Sequence, residues 1–106
     1  MNKFILGTCC VMLSAAAPAF AGDPVAGQKK SQTCAACHGP DGNSAAPDFP
    51  KIAGQHHDYL VKTLKDYKSG ARKSPIMAPM AANLTARDIE DLAAYYSSQK
   101  GLVLKY

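Results

Sequence analysis

Residues 33–43 read TCAACHGPDGN. Two cysteines separated by two small residues, with a histidine directly after the second, are compatible with a redox dithiol, a plain disulfide, half of a zinc site, or covalent haem attachment. Each chemistry makes its own demand on the rest of the chain. A thioredoxin-like dithiol needs a strand before the motif and a βαβ setting, and neither is visible here. A structural zinc site needs four ligands. Beyond Cys34, Cys37 and His38, only His56, His57 or a carboxylate could complete it, at no familiar spacing. Haem attachment asks for what is present: two thiols at this spacing on a helical turn reach the two vinyl groups of one macrocycle, and the imidazole of the next residue meets the iron. The motif therefore favours haem, with disulfide, dithiol and metal as the remaining readings.

The chain begins with Lys3, an apolar run from Phe4 to Ala17, and a small-x-small ending at Ala19-Phe20-Ala21. This is the pattern of a secretory signal peptide, residues 1–21, cleaved before Gly22. A membrane anchor would need about 20 apolar residues in a row, and Pro18 and Asp23 cut the run short. The expectation is a periplasmic protein with no transmembrane segment after cleavage. Cys9 and Cys10 leave with the leader, so Cys34 and Cys37 are the only cysteines of the mature domain, residues 22–106. A domain this short buries a limited core, and small exported domains add a disulfide network, a metal or a large cofactor. Such support must come through the one motif.

The whole chain carries 12 Lys and Arg against 8 Asp and Glu, and loss of Lys3 lowers the excess from four to three. The middle third is the basic part, with Lys51, Lys62, Lys65, Lys68, Arg72 and Lys73 set against Asp58 and Asp66. An exported chain argues against nucleic acid as the partner. The patch reads either as a solvated helix face or as a docking surface for an acidic partner.

Periodicity predicts three helices and no convincing strand. Asp23-Pro24 opens the first, with the carboxylate as N-cap and Pro at the first helical position, and this helix should run into the cysteine motif. The second begins near Asp58, places Leu60, Val61, Leu64 and Tyr67 on one stripe, and stops at Gly70. The third starts at a capping box, Thr85 to Asp88, with Leu84 and Ile89 placed for a hydrophobic staple. Its stripe is Ile89, Leu92, Ala93 and Tyr96, and Gly101 ends it. Two loops rich in Pro and small residues, 39–55 and 71–83, connect the helices; loops this long in a small domain are usually functional or disordered.

The mature chain has two thioethers, Met77 and Met80, both in the second loop. Met is more often core filler than a ligand, but this loop lacks the helical periodicity that a core Met would serve. One of the two is therefore a candidate second iron ligand. His56 and His57 are rivals, read as surface residues at a polar helix start.

The stretches CAACHGPDGNSAAPDFPKIAGQ, YLVKTLKDYKSGAR, the methionine loop and LTARDIEDLAAYYSSQ together resemble class I cytochromes c, of the single-domain monohaem type related to bacterial cytochromes c4 and c553. The resemblance implies an all-α fold of three main helices and loops wrapped around one covalent haem c. It implies that the first and last helices cross with Gly27 against Tyr95. Cys34 and Cys37 would hold the haem, with His38 and Met77 as axial ligands and Met80 the runner-up, covering the haem edge. The Pro47 carbonyl would accept the Nδ1–H of His38, and Gln55 and Tyr59 would bond a propionate or close the crevice. An apolar wall of Ile52, Leu64, Met80, Leu84 and Leu92 is expected around the iron.

The implied function is one-electron transfer between respiratory-chain redox proteins, such as a membrane cytochrome complex and a terminal oxidase or reductase, without enzymatic activity. The alternatives are a haem enzyme or gas sensor with an open sixth site, and a haem subunit of a larger oxidoreductase. Monomer and weak homodimer are both compatible with the chain.

Overall fold

The computed structural model describes residue 7 and residues 21–102, so the expected leader lies almost wholly outside the described residues, Cys9 and Cys10 included. Among the described residues, five helical segments follow one another: α1 (Pro24–Lys30), α2 (Gln32–His38), α3 (His57–Ser69), α4 (Met77–Ala82) and α5 (Ala86–Ser97). No strand occurs among the described residues.

The Asp23 carboxylate accepts the Val25 N–H at 2.9 Å and Pro24 occupies the first turn, as expected. The helix does not continue unbroken into the motif. The Ser31 hydroxyl donates to the Gln28 carbonyl at 2.7 Å, a local bond that competes with the helical ladder, and a new helix starts at Gln32. The second predicted helix is α3, closed by Gly70 in the left-handed conformation at φ 86°. The third is α5, whose capping box forms in both directions: Thr85 Oγ1 accepts from Asp88 N at 3.1 Å and Asp88 Oδ2 from Thr85 N at 2.9 Å. It ends at Ser97, earlier than expected. Gly101 serves a close approach instead, since a Cβ there would stand 2.7 Å from the Ala53 Cβ and 2.5 Å from the Asn43 side chain.

The expected loop 71–83 contains a short helix of its own, α4, six residues long. Pro79 sits in its first turn, where the missing N–H has no intrahelical partner to lose.

The core is where α1 and α3 meet α5. Leu60, Leu92, Ala93, Tyr95 and Tyr96 are buried together, with Cys34, Ile52, Val61, Leu64 and Leu84 packed against them. The crossing of α1 and α5 is as close as backbones allow, because Gly27 rests on the Asp91 carbonyl and the Tyr95 Cβ. A polar clasp lies beside it. The Lys30 ammonium contacts Asp91 at 2.6 Å and Asp88 at 2.9 Å, and Asp91 also accepts the Asp23 N–H at 2.8 Å. Asp91 is 2% exposed, and these bonds satisfy what would otherwise be a costly buried carboxylate.

Loop 39–55 is held as firmly as the helices. The Gly42 carbonyl accepts both Ile52 N–H at 2.9 Å and Ala53 N–H at 3.2 Å, and Gly54 N–H reaches the Tyr96 carbonyl at 2.9 Å. Asn43 Nδ2 donates to the Lys100 carbonyl at 2.8 Å. The loop is thereby stitched to the end of α5.

Candidate functional site

The segments α2 to α5 and the end of loop 39–55 enclose an apolar crevice of about 360 Å³. Its floor carries the motif. Cys34 and Cys37, half-buried free thiols one turn apart on α2, line it together with His38. His38 is the last residue of α2 and is 8% exposed. Its Nδ1–H donates to the Pro50 carbonyl at 2.8 Å, and because a carbonyl can only accept, this bond leaves Nε2 with its lone pair free.

The expected acceptor, the Pro47 carbonyl, is corrected by this bond. Pro47 is exposed and does not line the crevice. Ser44 Oγ accepts the Ala46 N–H at 3.2 Å, and Phe49 N–H closes a turn onto Ala46 at 3.2 Å. Pro47 thus sits at the second position of a four-residue turn, where its fixed φ is an advantage, and the chain returns to His38 three residues later.

Met77 and Met80 both line the crevice from α4, Met77 half-buried and Met80 47% exposed. The Ser74 hydroxyl accepts the Met77 N–H at 3.0 Å, which fixes where α4 begins. Neither His56 nor His57 lines the crevice. His57 faces α5 instead, with Nε2 3.0 Å from Glu90. Among the described residues, no three His, Cys, Asp or Glu side chains form a group able to hold a metal ion.

Of the expected apolar wall, Ile52, Leu64, Met80 and Leu92 line the crevice, whereas Leu84 packs in the core behind it. Gln55 and Tyr59 stand at the rim, but each is engaged within the protein: Gln55 Oε1 accepts the His56 N–H at 2.8 Å, and Tyr59 Oη accepts from Arg72 at 3.4 Å. Among the further lining residues not assigned to the site from sequence are Tyr67, Arg72 and Tyr96. The Arg72 guanidinium lies over the Tyr67 ring, 5.0 Å from its centroid, and so places a fixed cation at the mouth. The Arg72 backbone N–H donates to the Asp66 carbonyl at 3.1 Å. The spacing of Arg72 and Tyr67 in the sequence carries no signal of this contact.

This is a cavity for a flat apolar group with a metal at its centre and anionic substituents at its edge. Two thiols, one imidazole with a free lone pair, two thioethers and an apolar wall share it, and a cation stands at the rim. The buried Tyr96 hydroxyl, which has no hydrogen-bond partner in the protein, points to the same conclusion. The donor set fits haem.

Comparison with known proteins agrees. The sequence profile of the cytochrome c family matches residues 24–100. Cytochrome c4 from Pseudomonas aeruginosa is 45% identical over 100 residues, covering 94% of this chain and 50% of that protein. Cytochrome c-554(548) from Halomonas halodenitrificans is 49% identical over 83 residues, covering 76% of this chain and 100% of that protein. The crystal structure of reduced recombinant cytochrome c4 from Pseudomonas stutzeri superposes with a TM-score of 0.74 at 52% identity, over 78% of this chain and 48% of that one. The chain therefore belongs to the cytochrome c family, whose members serve electron transport with covalently bound haem c. Its fold is that of class I cytochromes c. It spans about half the length of the cytochrome c4 relatives it matches.

Proposed function

We propose that this chain is a periplasmic one-electron carrier in which His38 and Met77 are the axial ligands and Cys34 and Cys37 the covalent anchors of one haem. The observation that carries this reading is the His38–Pro50 bond, 2.8 Å long, in a crevice that Met77 also lines. When bound, the haem iron takes up and releases a single electron. The protein's residues set the terms of that exchange. Pro50 orients the His38 ring and raises its basicity. A thioether ligand and apolar walls both favour the ferrous state. With both His38 and Met77 holding the iron, the polypeptide would have little to rearrange on electron transfer, and no position would be left open for substrate or gas.

Among the described residues, no helix is long and apolar enough to cross a membrane, and the leader pattern of residues 1–21 supports export to the periplasm. The partners are redox proteins of the respiratory chain with acidic docking surfaces, which the rim cations Lys51 and Arg72 would meet. Gln55 and Tyr59 would bond a haem propionate or close the crevice, a reading that their position in its lining supports.

Spectra of the purified mature protein test the ligand set. Met77→Ala should abolish the ferric Met-to-iron charge-transfer band, and Met80→Ala should retain it. Loss of the band in Met80→Ala alone would reassign the ligand. Tight binding of carbon monoxide by the reduced wild-type protein would favour the enzyme or sensor reading instead.

A further inference from the structure

Tyr96 is a buried donor with nothing to donate to. The residue is 4% exposed. Its ring is tilted against Tyr95 with centroids 5.0 Å apart and lies so close to Gly42 that a Cβ there would stand 2.8 Å from Cδ1. The side chain therefore cannot swing out to water. The residue lines the crevice, and its buried hydroxyl has no hydrogen-bond partner. Leaving a buried hydroxyl unpaired is costly, so the position implies an acceptor that is completed when the cofactor is attached.

Two groups lie near enough to interact with the hydroxyl, Ser31 and Cys34. Ser31 already directs its proton to the Gln28 carbonyl at 2.7 Å. Cys34 packs against the same cluster as Tyr96. Cys34 also lines the same crevice as Tyr96, and the Tyr96 hydroxyl draws its thiol down against the larger upward push of burial. A free thiol is itself a weak donor. Attachment changes that: the thiol adds across a vinyl double bond, its sulfur bonds to one vinyl carbon, its hydrogen goes to the other, and the sulfur keeps only lone pairs.

We propose that Tyr96 is a positioning residue for the cofactor, its O–H donating to the Cys34 sulfur once that sulfur is a thioether. The inference rests on Cys34 being a covalent anchor. The bond fixes the orientation of one thioether from the opposite end of the chain, and it turns the positive end of the hydroxyl dipole toward the macrocycle, which disfavours the ferric state.

Resonance Raman spectroscopy of the holoprotein tests this. The thioether C–S stretching mode of the wild type should shift between H2O and D2O, and the shift should be absent in Tyr96→Phe. At a fixed ambient potential, Tyr96→Phe should hold a larger ratio of oxidised to reduced protein, by no more than the roughly several-fold that a whole hydrogen bond is worth. A C–S mode that ignores D2O in the wild type overturns the proposal, and that measurement decides alone if the variant does not fold. Peptide mass mapping separates the two layers. Absence of haem mass on the Cys34 peptide would remove the anchor reading and the Tyr96 role together. Haem on that peptide with a D2O-insensitive mode would remove only the Tyr96 role.

Discussion

Gly27 shows how one missing methyl group fixes the geometry of the molecule. A Cβ at this position would stand 1.9 Å from the Asp91 carbonyl oxygen and 2.8 Å from the Tyr95 Cβ, so α1 and α5 would have to separate to admit it. Backbone cannot rotate away as a flexible side chain can. Gly27→Ala should therefore destabilise the holoprotein by about 3 kcal/mol, near the upper end of overpacking costs, as measured by urea unfolding. A loss of less than about 1 kcal/mol would mean that the two helices slide apart easily, against the rigidity expected of packed interiors. This contact was legible in sequence through the resemblance, as a small residue facing an aromatic one. The carbonyl that meets His38 was not. Pro47 and Pro50 lie three residues apart in one loop, and either could follow a histidine in a sequence pattern. The choice is made by the turn that Ser44 nucleates, where Ala46 and Phe49 bond and Pro47 is turned outward.

At the scale of elements, the start of α5 is both a cap and a clasp. Asp88 is pulled down to about 2, first by the Thr85 N–H of the capping box and then by Lys30. Asp91 is lowered by Lys30, and Lys30 is raised in turn by the two carboxylates. Carboxyls that ionise at lower pH in the folded than in the unfolded state contribute stability above about pH 4, their ordinary value. That contribution is lost as the pH falls toward about 2. Lys30 behaves oppositely: its contribution is complete below its ordinary value of 10.5 and fades as pH rises past it. Lys30→Met should flatten the acid limb of a plot of stability against pH, as followed by far-UV circular dichroism. An unchanged limb would place the acid sensitivity elsewhere. The capping box was readable because all its bonds lie within four residues. Helix α4 was not, because Pro75 and Pro79 break any periodic pattern and its six residues are positioned by Ser74 and by packing on α3. Both methionines line the crevice, and the loop assigned to them is a helical turn.

For the whole molecule, charge and crevice have to be considered together. Lys62 is paired with Asp66 at 2.6 Å, and Lys68 donates to the Leu84 carbonyl, so part of the basic patch is spent on the protein itself. Lys51 and Arg72 remain at the crevice rim, with Lys73 exposed beside them. Reduction by an acidic redox partner should slow as ionic strength rises, because exposed charges are screened over about 8–10 Å at 0.1–0.15 M salt. Neutralising Lys51 and Lys73 should weaken that salt dependence. A rate indifferent to salt in stopped-flow measurements would assign the patch to solubility alone.

The clasp between α1 and α5 has one more consequence, which concerns fragments. Residues 70–73 are exposed, and a Cβ on Gly70 would meet nothing within 4 Å. A cut after Arg72 would leave His38, with the covalently attached group, on one piece and Met77 on the other. The α1–α5 crossing would be the main surface rejoining them. Methionine ligation would then become a bimolecular equilibrium, and diluting the nicked protein until the Met-to-iron band fades would measure the effective concentration that the intact chain supplies.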